Sequence, residues 1–129
     1  MPKKVHTRTG IAGDTANDRR LLADVVASSD PPSAKGDGVL LQRNEFIHLF
    51  FEMTETDPAS AFSLQIWWYT PISGLWHLGE TLTVNANDVS TFEVQGMDRI
   101  YVEITDVNYD DGSYSAPSLN AWLGLVVPV

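Results

Sequence analysis

The chain has no cysteine among its 129 residues, which excludes disulfides and thiolate metal sites. Positive charge is scarce: eight Lys and Arg stand against seventeen Asp and Glu, for a net charge of −9. No apolar run approaches the roughly 18 residues that a membrane span needs, so no membrane partner is expected. No Asn-X-Ser/Thr glycosylation acceptor occurs, and the opening "MPKKVHTRTGIAGD" is basic but lacks the apolar centre of a secretory signal. What remains is a chain of single-domain length, with 43% hydrophobic residues and enough mass to bury a core without staples.

The shortage of positive charge is uneven. Residues 1–20 carry five cations against two acids, a net +3, while residues 21–129 carry three against fifteen, a net −12. An acidic body of this kind repels nucleic-acid phosphate, and the basic head lacks the interleaved aromatics of a nucleic-acid reader, so no nucleic-acid partner is expected. Aromatics are also absent from residues 1–38, which end in "SSDPPSAKGDG", a run that favours turns and extended chain over core. These residues read as an extended N-terminal arm and linker, with the domain proper at 39–129. Within the arm "DTANDRRLLADVVA" is open between two readings. Leu21, Leu22, Val25 and Val26 make a helical stripe, whereas Leu21, Ala23, Val25 and Ala27 make one face of a strand. The arm is expected to order by packing on its own body or on a neighbour. Lys3, Lys4, Arg8, Arg19 and Arg20 would supply a salt-screened attraction to an acidic surface, and Leu21, Leu22, Val25 and Val26 the apolar part. On this reading the arm is dispensable for folding and needed for attachment.

From Val39 onward the hydrophobic period becomes two. "FIHLFFEMTE" places Ile47, Leu49, Phe51 and Met53 on one face, with Phe46 and Phe50 also apolar on the other. "FSLQIWWYT" sets Phe62, Leu64, Ile66 and Trp68 opposite Ser63, Gln65, Trp67 and Tyr69. "VSTFEVQG", "RIYVEITDV" and "LNAWLGLVVPV" alternate likewise, and turn clusters such as "TDPAS", "TPISG" and "NANDV" separate the runs. Seven or eight short strands and no helix follow. The fold class is all-β, an antiparallel β-sandwich of jelly-roll type, whose core takes Phe51, Leu64, Ile66, Trp68, Phe92, Val102, Ile104 and Leu123.

That alternation divides the aromatic stretch "SLQIWWYTPISGLWHLGETLTV". Trp68 belongs to the core, while Trp67 and Tyr69 point away from it and Trp76, following "PISG", falls on a rim or over the sandwich end; these three and, across the sheet, Tyr101 are the candidate interface residues. Two uses stand open for them, a protein contact or a stacking surface for a carbohydrate or receptor. Catalytic and metal residues are not nominated. Glu52, Glu93 and Glu103 alternate with polar neighbours as on a solvated face, and do not form the facing pair of a glycosidase. "DVNYDDG" at 106–112 has Asp106, Asn108 and Asp110 at the first three odd positions of a calcium loop. However, Asp111 falls where that loop needs Gly, and Pro117 where it needs Glu. His6, His48 and His77 have no ligand spacing, and no cofactor is implied.

Residues 62–107, "FSLQIWWYTPISGLWHLGETLTVNANDVSTFEVQGMDRIYVEITDV", and the closing "LNAWLGLVVPV" resemble the small β-sandwich proteins of tailed-bacteriophage virions. Decoration and cement proteins of that group combine a compact jelly roll, an extended terminal arm, no cysteine and an acidic body. The resemblance spans about residues 39–129 in style and carries no site residue with it. It implies a non-enzymatic structural protein, made in the host cytoplasm and bound to the capsid exterior. Its partners would be the major capsid protein or another virion protein and further copies of itself, in that group often as trimers.

Overall fold

A computed structural model of the chain describes residues 5–8, 20–41 and 46–128, with side chains over 20–41 and 46–124. Among the described residues nine strands follow one another: β1 (Val5–Arg8), β2 (Arg20–Val25), β3 (Val39–Leu40), β4 (Phe46–Thr54), β5 (Ala61–Thr70), β6 (Leu75–Val84), β7 (Asp88–Glu93), β8 (Arg99–Asn108) and β9 (Ser118–Pro128). A single 3-10 turn at Lys35–Asp37 is the only helical feature among them. The protein is an all-β sandwich, as its alternation requires.

Sheet A has the order β2–β9–β4–β7 and sheet B the order β3–β8–β5–β6, antiparallel throughout. β1 pairs with the far end of β9, in line with β2 along the same edge, so sheet A is also four strands wide. The pairs nest: β2 with β9, β3 with β8, β4 with β7, β5 with β6. The chain is thus one long double ribbon that turns back between β5 and β6. It is rolled so that β4 also meets β9 and β5 also meets β8, which is the connectivity of a jelly roll.

The two inner faces make the core. Ile47, Leu49, Phe51 and Met53 from β4 meet Leu119, Ala121 and Leu123 from β9 on sheet A, and Phe62, Leu64, Ile66 and Trp68 from β5 meet Ile100, Val102 and Ile104 from β8 on sheet B. Of the eight core residues expected from the sequence, seven are buried. Phe92 is partly buried and joins the layers, its ring edge-on to Trp68 with centroids 5.5 Å apart. A β-bulge beside Trp68 has a steric cause. The β5–β6 register slips between Ile66 and Trp67, leaving Gly79 as the extra residue. A side chain on Gly79 would run into the indole of Trp68, so only glycine lets that ring close the edge of the core.

The stretch read as an arm divides in two. Leu22 is buried in the core and Leu21 and Val25 pack against it, so Arg20–Val25 belongs to sheet A. The strand reading of this segment holds, but not with the expected face. Ala23 is exposed, because the register of β2 shifts twice and Asp24 takes a left-handed φ of 48°, a conformation that aspartate tolerates better than most residues. Buried Asn120 fixes this distortion. Its Oδ1 accepts from the Arg20 guanidinium and from the Asp24 N–H at 2.9 Å, and its Nδ2 donates to Asp24 at 3.0 Å. The compositional boundary at residue 38 is therefore not an edge of the fold. A body cut to begin at Val39 would lose β2 and uncover Leu119–Trp122, contrary to the expectation that the arm is dispensable.

Replacing Trp68 by Ala removes a buried large aromatic and should destabilise the fold by about 3–5 kcal/mol. Gly79→Ala leaves Trp68 in place but overfills its seat, and should cost about 1–3 kcal/mol. Urea unfolding of the two variants checks both. A Gly79→Ala protein as stable as the parent would contradict the packing of Trp68 on the bulge.

Candidate functional site

The two outer faces of the sandwich differ in what covers them. On sheet B the cross-strand registers put Trp67 beside Tyr101 and Tyr69 beside Trp76, so all four residues singled out from the sequence share one face. Tyr69 and Trp76 meet edge-on with centroids 5.4 Å apart, and Trp76 and Tyr101 at 6.2 Å. None of the four is open to solvent as a bare platform, since each is half-buried.

Their cover is the chain itself. After β2, the Ser29 N–H donates to the Ile104 carbonyl and the Ile104 N–H to the Ser29 hydroxyl, both at 2.9 Å, continuing the pairing along the edge of β8. Residues 30–38 then cross the aromatic face as a strap. Tyr101 Oη donates to the Asp30 carbonyl at 2.8 Å, Trp76 Nε1 to the Ala34 carbonyl at 3.0 Å, and Lys35 Nζ lies 5.7 Å from the centre of the Tyr69 ring. Gly38 lies so close to the Trp76 ring that a Cβ there would overlap it. The polar tips that aromatics need to satisfy are used on strap carbonyls, and burial raises the Tyr101 hydroxyl above the usual phenol value.

The strap is held in shape by Asp37. Its carboxylate accepts the N–H groups of Ser33 and Ala34, each at 2.9 Å, and these hold it below the usual aspartate value. Trp67 serves a different residue. Its Nε1 donates to Glu103 Oε1 at 2.8 Å, and Glu103 is only 8% exposed. The solvated-face reading therefore holds for Glu52 and Glu93 but fails for Glu103, because the indole beside it both shields it and satisfies it. Glu52 and Glu93 lie on sheet A and Glu103 on sheet B, so the sandwich separates them.

The remaining candidates are dispersed. Lys3, Lys4 and Arg19 lie outside the described residues, as does the side chain of Arg8. Arg20, Leu21, Leu22 and Val25 pack on their own body as described, and Val26 is exposed. In the 106–112 stretch, Asp106 and Asn108 belong to the end of β8, and in the turn that follows Asp110 Oδ1 accepts the Gly112 N–H while buried Asp57 accepts the Asp110 N–H at 2.7 Å. Among the described residues no group of three His, Cys, Asp or Glu side chains could hold a metal ion. His48 bonds Thr91 on sheet A and His77 bonds Ser73 on the β5–β6 turn, far apart in the topology.

Sequence reasoning passed over the outer face of sheet A. There Arg20, Trp122, Phe50 and Val89 stand in register across β2, β9, β4 and β7. Phe46 and Val89 are exposed, and Phe50, His48 and Trp122 half-buried. The signal was available. Phe46 and Phe50 are apolar at the outward positions of β4, and Trp122 opposes Ala121 and Leu123 in the alternation of β9. Phe50, Phe51, Glu52, Asn87, Asp88, Val89 and Trp122 line a shallow trough of about 510 Å³ where β4 meets the start of β7.

The Asp37 anchor makes the strap acid-sensitive. A carboxylate whose pKa is depressed in the folded state adds stability above its unfolded value of about 3.9 and loses it as pH falls through the lower folded value. In an NMR titration the Asp37 carboxyl should titrate below the usual aspartate value, and the Trp76 indole N–H should shift with it. In Asp37→Asn that acid-linked shift should vanish. An Asp37 that titrates at or above the usual aspartate value would contradict the anchor. No protein-family model, curated protein or solved structure matches the chain.

Proposed function

We propose that the protein is a non-enzymatic structural protein that docks on a larger protein assembly, and that the assembly is a virion. In this reading it is a capsid decoration or cement protein that binds the shell exterior and stabilises it, acting as a small oligomer. The observation that supports docking is the contrast between the faces. On sheet B the strap bonds Trp76 and Tyr101 and crosses Tyr69, while on sheet A Phe46 and Val89 stand exposed beside half-buried Phe50 and Trp122, with no strap over them among the described residues. Exposed strips of this kind mark protein contacts more often than they occur by chance. The virion setting comes from the sequence resemblance. Rigid strands present the strip, so binding needs little ordering of the protein itself.

The test is the protein's place in producing cells. It should co-sediment with intact particles and remain accessible to antibody on their surface. Phe46→Ser with Val89→Ser should weaken that attachment about tenfold or more while leaving melting nearly unchanged, since both residues are exposed. Recovery only in the particle-free fraction would contradict the virion reading. Unchanged attachment of the double variant would contradict the use of this face.

A further inference from the structure

The aromatic face of sheet B holds the strap as aromatic grooves hold proline-rich peptides. Pro31 and Pro32 lie between the two carbonyls that the face binds, Asp30 on Tyr101 Oη and Ala34 on Trp76 Nε1. Each proline fixes its own φ and keeps the residue before it extended, so residues 30–32 are stiff. Residues 30–33 make no backbone–backbone hydrogen bond among the described residues. A stiff segment of this kind leaves its carbonyls free for an indole N–H and a phenol O–H, and loses little entropy when it docks. Pro32 is half-buried, while Asp30, Pro31, Ser33 and Ala34 are exposed.

The strap is also longer than its path. Ser29 is bonded to Ile104 and Val39 pairs with Ile100, both on β8. The strand between Ile100 and Ile104 spans about 13 Å, whereas the chain from Ser29 to Val39 can reach about 33 Å. Part of the excess is taken up in the Lys35–Asp37 turn, which the Asp37 carboxylate closes on the Ser33 and Ala34 N–H groups and in which no residue is buried. The strap can therefore bow away from the rings between two fixed ends, while β5, β6 and β8 keep those rings in register.

We infer that this face is a docking groove for an extended, proline-containing segment of a partner protein, and that the strap is its tethered competitor. The seated strap shows the chemistry the groove accepts: a proline pair flanked by carbonyls that meet the Tyr101 and Trp76 donors. A partner's affinity is lowered by the fraction of molecules in which the strap is closed, and the effective concentration of the tethered segment sets the threshold to be exceeded. The groove is separate from the strip on sheet A and does not depend on docking there.

The test uses the full chain, NMR and the peptide SSDPPSAKGDG, the sequence of residues 28–38. The parent should bind it weakly, with shifts at the Trp76 indole N–H and the Tyr101 ring. Asp37→Ala removes an exposed carboxylate, unlatches the strap and should bind the peptide about tenfold more tightly. In that background Trp76→Phe keeps a ring but removes the N–H, and should weaken binding about tenfold. A peptide with alanine in place of both prolines should bind correspondingly less well. Equal affinity of the parent and Asp37→Ala would show that the strap does not compete, and equal affinity of the two peptides that proline is not read. Either result overturns the inference, as would shifts confined to Phe50 and Trp122 on sheet A. Dimerisation of Asp37→Ala in sedimentation without peptide would make a second copy's strap the occupant and overturn the foreign partner.

Discussion

The antiparallel pairing of Arg20–Val25 with β9 is the constraint on which the rest of the molecule depends. It supplies the first strand of the double ribbon, closes one edge of sheet A, and puts Leu22 into the core. It also fixes where the chain goes next. Leaving β2, the backbone reaches the edge of β8 at Ser29 and must cross to sheet B to form β3 against Arg99 and Ile100. The strap is the path of that crossing. A distorted edge strand is costly unless its freed polar groups are satisfied, and Asn120 does this from within β9, binding both Arg20 and the backbone and side chain of Asp24.

From that path follows the division of the two faces. Trp76 and Tyr101 give their only side-chain hydrogen-bond donors to strap carbonyls, Tyr69 lies under Lys35, and Trp67 satisfies Glu103. The aromatic cluster most conspicuous in the sequence is therefore largely engaged within the molecule, holding the strap in place. Sheet A has no equivalent strap among the described residues, and Phe46 and Val89 stand exposed there beside half-buried Phe50 and Trp122. The acidic charge of the body, concentrated after residue 20, sets the sign of what can approach it.

Much of the architecture was legible because it rests on local alternation. In β4, β5 and β8 the period of two names the buried face residue by residue, and Trp68 falls where it should. Less was legible where the cause is distant in sequence. The face that β2 buries depends on Asn120, about a hundred residues away, which holds Asp24 in a conformation that the pattern of "RLLADV" does not reveal. Glu103 sits at an outward position, yet it is buried because Trp67 on the neighbouring strand lies over it. The strap could be recognised as irregular from its Ser, Pro and Gly content, but its seat could not, since Asp30 and Ala34 bind through backbone carbonyls that carry no sequence signature. The strip on sheet A was present in the alternation of β4 and β9, but the denser aromatics of β5 and β6 drew attention from it.

Amide hydrogen exchange across residues 20–41 tests most directly whether this segment is part of the sandwich. If β2 and the strap are integral, the β2 amides bonded to β9 and the Ser29 amide should exchange slowly, with protection approaching that of β4 and β9. The loop residues at the tip of the strap should exchange faster. Free exchange through the whole of 20–38, beside a fully protected β4–β9 body, would mean that the segment is an unattached arm, and the account of both faces would fall with it.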